Sequence, residues 1–182
     1  MHPHGKYRTG DMIAVRSRGP IAWGVRWVTD FRNSYAGEWV ANHIAFVIRR
    51  SDGEYFVYES LGSRGVVTTP LEDWFARKPD CKVFRPLPHL NSDARRAFAK
   101  CATKYEGRKY ESWWSFLKIA FDQNKAGDSR LFCSEYYARC AYEACVLDKS
   151  PLFISNVEPD ELVDLAEAFW ERIVLYKPPR AI

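Results

Sequence analysis

The stretch from His43 to Glu59 constrains the fold of this chain more than any other. An apolar run, His43-Ile44-Ala45-Phe46-Val47-Ile48, leads into a Ser51-Asp52-Gly53-Glu54 turn and then Tyr55-Phe56-Val57-Tyr58-Glu59. Two such runs about an Asp-Gly turn specify an antiparallel hairpin. Side chains alternate along a strand, so Tyr55, Val57 and Glu59 share one face, and Phe56 and Tyr58 the other.

Strands are also expected at Met12–Val15, after the turn residues Thr9-Gly10-Asp11, and at Val66–Thr69, Lys82–Arg85 and Ile173–Tyr176. Helical spacing of Ile21, Val25, Val28 and Phe31 predicts a helix over 21–31. Pro70 opens a short helix to Phe75. Asn91-Ser92-Asp93 caps a helix to about Tyr105, ended by Gly107. Further helices are expected over Trp113–Phe121, over Phe132–Val146, and from a cap at Asn156–Asp160 to about Arg172. Strands cluster centrally and helices dominate the second half. The expected class is α+β, a mostly antiparallel central sheet packed by helices. With 182 residues and neither repeat nor linker, the chain reads as one domain over 1–182.

Charge and cysteine usage narrow the functions. Residues 1–50 hold eight Lys/Arg against three acids, whereas the remainder is near neutral. A basic N-terminal third reads first as a solvated face, with contact with an anionic polymer or a membrane surface as the alternative. Five cysteines form no CxxC pair, and the four histidines are too scattered for a zinc spacing, so no metal or cofactor is expected. No run approaches the ~18 apolar residues that span a bilayer. The N-terminus lacks the apolar core of a signal peptide, so synthesis as a cytoplasmic protein is expected; a target outside the cell would require delivery by a phage, a secretion system or lysis.

The chemistry-bearing candidates are Cys133 and His43. A cysteine in the first turn of a helix gains from the positive end of the helix dipole, which lowers its pKa. Cys133 has that placement, since a polar loop precedes it and a periodic helix follows. Cys140 and Cys145 read as lying within the helix body, and Cys81 and Cys101 as small buried hydrophobes. His43 stands at a strand end, where its backbone is fixed. Pairing about the turn sets position 43 opposite 59 or 60, so Glu59 can accept a hydrogen bond from the imidazole and fix its tautomer. Histidine first and cysteine second is the order of a circularly permuted papain-like thiol site.

At these residues the chain resembles a known family. Gly10-Asp11-Met12-Ile13, Val25-Arg26-Trp27-Val28-Thr29, Asn42-His43-Ile44, Tyr58-Glu59-Ser60, Gly65-Val66, Leu71-Glu72-Asp73-Trp74, Gly107-Arg108-Lys109-Tyr110 and Phe132-Cys133-Ser134-Glu135 follow one order. It is similar to that of the YiiX-like branch of the permuted NlpC/p60 papain-like cysteine hydrolases, over roughly residues 9–147. The resemblance implies a permuted papain-like fold, with Cys133 as nucleophile, His43 as base and Glu59 as orienting residue. The backbone N–H of Cys133 would help to hold the oxyanion, and Tyr110, Trp27 and Ser134 would contact substrate. Residues 30–41 are longer and more polar than that pattern, which would reshape the cleft mouth.

Three function classes follow. The leading one is a cysteine hydrolase of amidase or peptidase type, acting on a cell-wall peptide or related amide through a thioacyl intermediate. The second is a lipid acyl hydrolase or acyltransferase using the same residues on an ester. The third is a non-catalytic binding or effector module on the same scaffold. Nucleic acid is not an expected partner, because no basic-aromatic recognition motif is present.

Overall fold

In the computed structural model of the chain, residues 6–17, 40–62, 64–77, 80–109, 132–147 and 157–176 are described. They form strands β1 (Met12–Val15), β2 (His43–Arg49), β3 (Tyr55–Leu61), β4 (Gly65–Pro70), β5 (Cys81–Arg85) and β6 (Glu171–Tyr176). The helices among them are α1 (Leu71–Ala76), α2 (Ser92–Lys104), α3 (Cys133–Glu143) and α4 (Pro159–Phe169). The helices expected over 21–31 and 113–121 lie outside the described residues, as do Trp27 and Tyr110.

The six strands make one sheet of order β4-β3-β2-β1-β5-β6, every neighbouring pair antiparallel. The α+β class therefore stands. The apolar run of β2 occupies a central position and is buried on both faces. On one face Met12, Ala14, Ile44, Phe46, Tyr58 and Phe84 meet α2, α3 and α4. Phe46 anchors that layer, with its ring centroid 4.8 Å from Tyr136 and 5.5 Å from Phe98. On the other face Ile13, Val15, Ala45, Val47, Val57 and Val83 meet Tyr7 and, from α1, Leu71 and Trp74. No helix among the described residues is long and apolar enough to cross a membrane.

The hairpin differs from its expected register. Arg50 N–H donates to the Glu54 carbonyl at 2.9 Å, which closes a loop around Ser51–Gly53 rather than a two-residue turn. Ala45 accordingly pairs with Glu59, and not His43. His43 lies two residues from Ala45 on the same face, so it is the diagonal neighbour of Glu59, still within side-chain reach.

Two helices end earlier than their periodicity suggests. In α3, Cys145 adopts φ 55° just beyond the helix, and Val146 N–H bonds the Ala141 carbonyl at 2.7 Å. That is a Schellman closure, so Cys145 lies outside the helix body and is exposed. In α4, Trp170 turns extended at φ −119° and ψ 158°, ending the helix at Phe169 and starting β6 at Glu171. The expected start of α2 stands, with the Asn91 side chain accepting from Ala94 N–H at 2.8 Å.

The sheet is anchored at β1. Asp11 is 1% exposed and takes two hydrogen bonds from Arg85 at 2.9 and 2.8 Å, with Arg8 N–H adding a third at 2.8 Å. Gly65, at φ +73°, starts β4 where a Cβ would lie 2.0 Å from the Arg108 carbonyl oxygen. Only glycine permits the Val66 N–H bond to that oxygen, 2.7 Å.

Candidate active site

Cys133 is the first residue of α3, and His43 is the first residue of β2. Both chain entries are held locally. Phe132 N–H reaches the Glu135 carboxylate at 3.5 Å, and Arg139 holds that carboxylate at 2.7 Å, an acid in the first helical turn. Before β2, Asn42 clamps the Ser17 backbone through both ends of its amide, at 2.8 and 3.0 Å. The backbone N–H of Asn42 also donates to the Val15 carbonyl at 3.0 Å. Asn42 thus fixes where the strand begins and where the imidazole is presented.

The helix start and the strand start meet. The Cys133 thiol and the His43 imidazole lie close enough to shift one another's ionisation, and the backbone N–H groups of Ile44 and Ser134 also favour the anionic sulfur. On the far side of the ring, Nε2 of His43 lies 2.9 Å from Oε2 of Glu59. With Nε2 engaged by the carboxylate, Nδ1 is the nitrogen left for the thiol. Glu59, 4% exposed, is held in turn by Trp74 Nε1–H at 3.1 Å and by the Arg77 guanidinium at 3.7 Å, both on its Oε1.

These contacts set the charges. Burial pushes the Cys133 thiol up, but the charge and hydrogen bond of His43, with two backbone N–H groups, outweigh it and hold the pKa below the ordinary thiol value. Burial pulls His43 down, whereas the Cys133 sulfur and then Glu59 raise it to about 10. For Glu59, burial raises the pKa, yet bonds from His43 and Trp74 and the Arg77 charge bring it below the usual carboxylate range. All three directions favour the ionised forms, a thiolate and an imidazolium backed by a carboxylate. By contrast, burial drives Cys81 up to about 12 and Cys140 well above the ordinary thiol range.

Of the residues singled out in the sequence, Cys133, His43 and Glu59 are brought together. Ser134 is next to them, but its side chain is 2% exposed and its hydroxyl donates to the Val157 carbonyl at 2.6 Å. What Ser134 gives the sulfur is its backbone N–H. Trp74 and Arg77 were not singled out for any role; Trp74 stands in one of the ordered motifs, but its contact with Glu59 arises only when α1 folds against β3. No group of three or more His, Cys, Asp or Glu among the described residues is arranged to hold a metal ion.

A helix-start thiol facing a strand-borne imidazole, beside an antiparallel sheet, defines the papain-like class of thiol site. The chain belongs to the permuted papain-like amidase enzyme family, YaeF/YiiX, C92, whose model matches residues 7–158. Among solved structures it is similar to metalloprotein YiiX from Escherichia coli O157:H7, at 22% identity and a TM-score of 0.59. That similarity covers 97% of this chain and 91% of the other, and it establishes the shared fold. No curated protein matches the chain.

Proposed function

We propose that this protein is a cysteine amidase acting on a peptide-like amide, with Cys133 as nucleophile, His43 as general acid and base, and Glu59 as the orienting anion. The observation that carries this reading is the 2.9 Å bond between His43 and Glu59 beside a helix-start thiol whose ionisation the same imidazole favours. Membership of an amidase family supports amide rather than ester chemistry.

The Cys133 thiolate attacks the carbonyl carbon, forming a C–S bond while the carbonyl oxygen takes the electron pair. That oxygen would be met by the backbone N–H of Cys133, which has no carbonyl one turn earlier in the helix to bond. The imidazolium of His43 then delivers its Nδ1 proton to the leaving nitrogen as the C–N bond breaks, giving a thioester and a free amine. Neutral His43 next takes a proton from water, and the resulting hydroxide attacks the thioester. Cys133 leaves as thiolate, now paired again with the imidazolium. Throughout, Glu59 accepts from Nε2–H and keeps Nδ1 facing the sulfur.

The motifs similar to NlpC/p60 proteins make short cell-wall peptides and their analogues the first substrates to assay. The test is hydrolysis of a peptide-amide panel by the protein and by Cys133→Ala and His43→Ala variants. Turnover by the wild type, reduced to background in both variants, is the expected outcome. Turnover that survives Cys133→Ala refutes the reading.

A further inference from the structure

Resting on that reading, the geometry points to Trp74 and Arg77 as positioning residues that set the pH range over which Cys133 is a thiolate. A buried carboxylate is stable only when its oxygens are hydrogen-bonded. Glu59 has one oxygen, Oε2, on His43; the other, Oε1, takes both the Trp74 indole N–H at 3.1 Å and the Arg77 guanidinium at 3.7 Å. Trp74 is 4% exposed and projects from α1, so its indole is locked by packing. Arg77 follows that helix directly, its N–H on the Trp74 carbonyl at 3.3 Å and its side chain on Thr69 Oγ1 at 3.4 Å.

The two residues divide the task. The indole is a neutral donor with one fixed direction, so it sets the rotation of the carboxylate and keeps Oε2 on the imidazole. The guanidinium supplies charge, which keeps the carboxylate ionised. Among the described residues, the charged groups facing Glu59 are His43 from β2 and Arg77 beyond α1. Those facing His43 are Glu59 from β3 and Cys133 from α3. Removing the indole donor leaves Oε1 with the Arg77 guanidinium alone, loosens the orientation that holds Oε2 on the imidazolium, and thereby withdraws charge that lowers the thiol pKa. The acid limb of thiolate formation must therefore move to higher pH.

The experiment is the pH dependence of Cys133 alkylation by iodoacetamide, followed by peptide mass spectrometry, in the wild type and in Trp74→Phe, Arg77→Met and Arg77→Lys. Phenylalanine keeps the ring packing and loses the donor. A hydrogen bond to a charged group is worth enough to move the acid limb of Trp74→Phe up by about one pH unit. Arg77 is half exposed, so Arg77→Met should move it less, and Arg77→Lys should restore it. A role confined to packing would lower thermal stability without moving the limb. An unmoved limb in folded Trp74→Phe overturns the inference, and if that variant does not fold, an unmoved limb in Arg77→Met does so. A wild type that shows the low-pH thiolate but cleaves no amide would instead sink the amidase reading and leave the positioning role intact.

Discussion

Replacing Glu59 by Gln isolates what the buried carboxylate does, because the side chain keeps its size and loses only its charge. The carboxylate sits 2.9 Å from His43 Nε2 and 3.1 Å from the Trp74 indole nitrogen. A glutamine that offers its carbonyl to His43 sets its amide N–H groups against Trp74 and Arg77, donors against donors. Flipped, it offers N–H to Nε2 and demands the wrong tautomer. Either way one charge-assisted bond is lost, a cost of about 1.5–3 kcal/mol. At 1.36 kcal/mol per pH unit this lowers the His43 pKa by about one to two units, from about 10 in the native site. If the same energy is expressed in the transition state, amide turnover at neutral pH falls by about 10- to 100-fold.

The assay is titration of His43 by NMR of ring-labelled histidine, beside denaturant unfolding across pH. His43 has a raised folded pKa, so its stabilisation is complete below the unfolded value and lost as pH rises through about 10. Glu59 has a depressed folded pKa, so its stabilisation is present above the ordinary carboxylate range and lost as pH falls through the folded value. The stability gap between wild type and Glu59→Gln should therefore be widest near neutrality and narrow towards both extremes. A His43 that titrates in Glu59→Gln as in the wild type would refute the reasoning, since the carboxylate would then not be what holds the imidazolium.

Other outcomes follow from the same physics. Iodoacetamide at mildly acidic pH should modify Cys133 well before Cys81 or Cys140, whose thiols burial pushes up; peptide mapping at short times checks the order. Gly65→Ala should destabilise the fold by about 2–4 kcal/mol in urea unfolding, because the new Cβ meets backbone and the φ is positive. Asp11→Asn leaves a mostly buried Arg85 without its counter-charge and should cost about 3–5 kcal/mol by the same measurement.

The sequence made some of this legible and hid the rest for physical reasons. Alternation in β3 predicted its two faces, and those faces are the ones that pack: Tyr58 towards α3, Val57 and Glu59 towards α1. The candidate pair Cys133 and His43 was readable because each depends on local structure, a helix start and a strand start. Glu59 was reached through a hairpin register that set position 43 opposite 59 or 60, whereas the pairing of Ala45 with Glu59 sets it opposite 61. The contact survives because Glu59 pairs with Ala45, two residues from His43 and on the same face, so the two side chains still meet diagonally. Trp74 and Arg77 were not readable, since their meeting with Glu59 depends on how a six-residue helix folds back on β3. The early stop of α3 was hidden likewise, because Cys145 takes a left-handed conformation that nothing in its own chemistry favours.

The central claim is that Cys133 forms the acyl-enzyme. The most direct measurement is intact-protein and peptide mass spectrometry after brief exposure to an activated peptide ester or acyl probe at neutral pH. One acyl adduct is expected, mapped to Cys133, absent from Cys133→Ala and formed far more slowly in His43→Ala. An adduct that persists undiminished in Cys133→Ala, or that maps to another cysteine in the wild type, would contradict that claim.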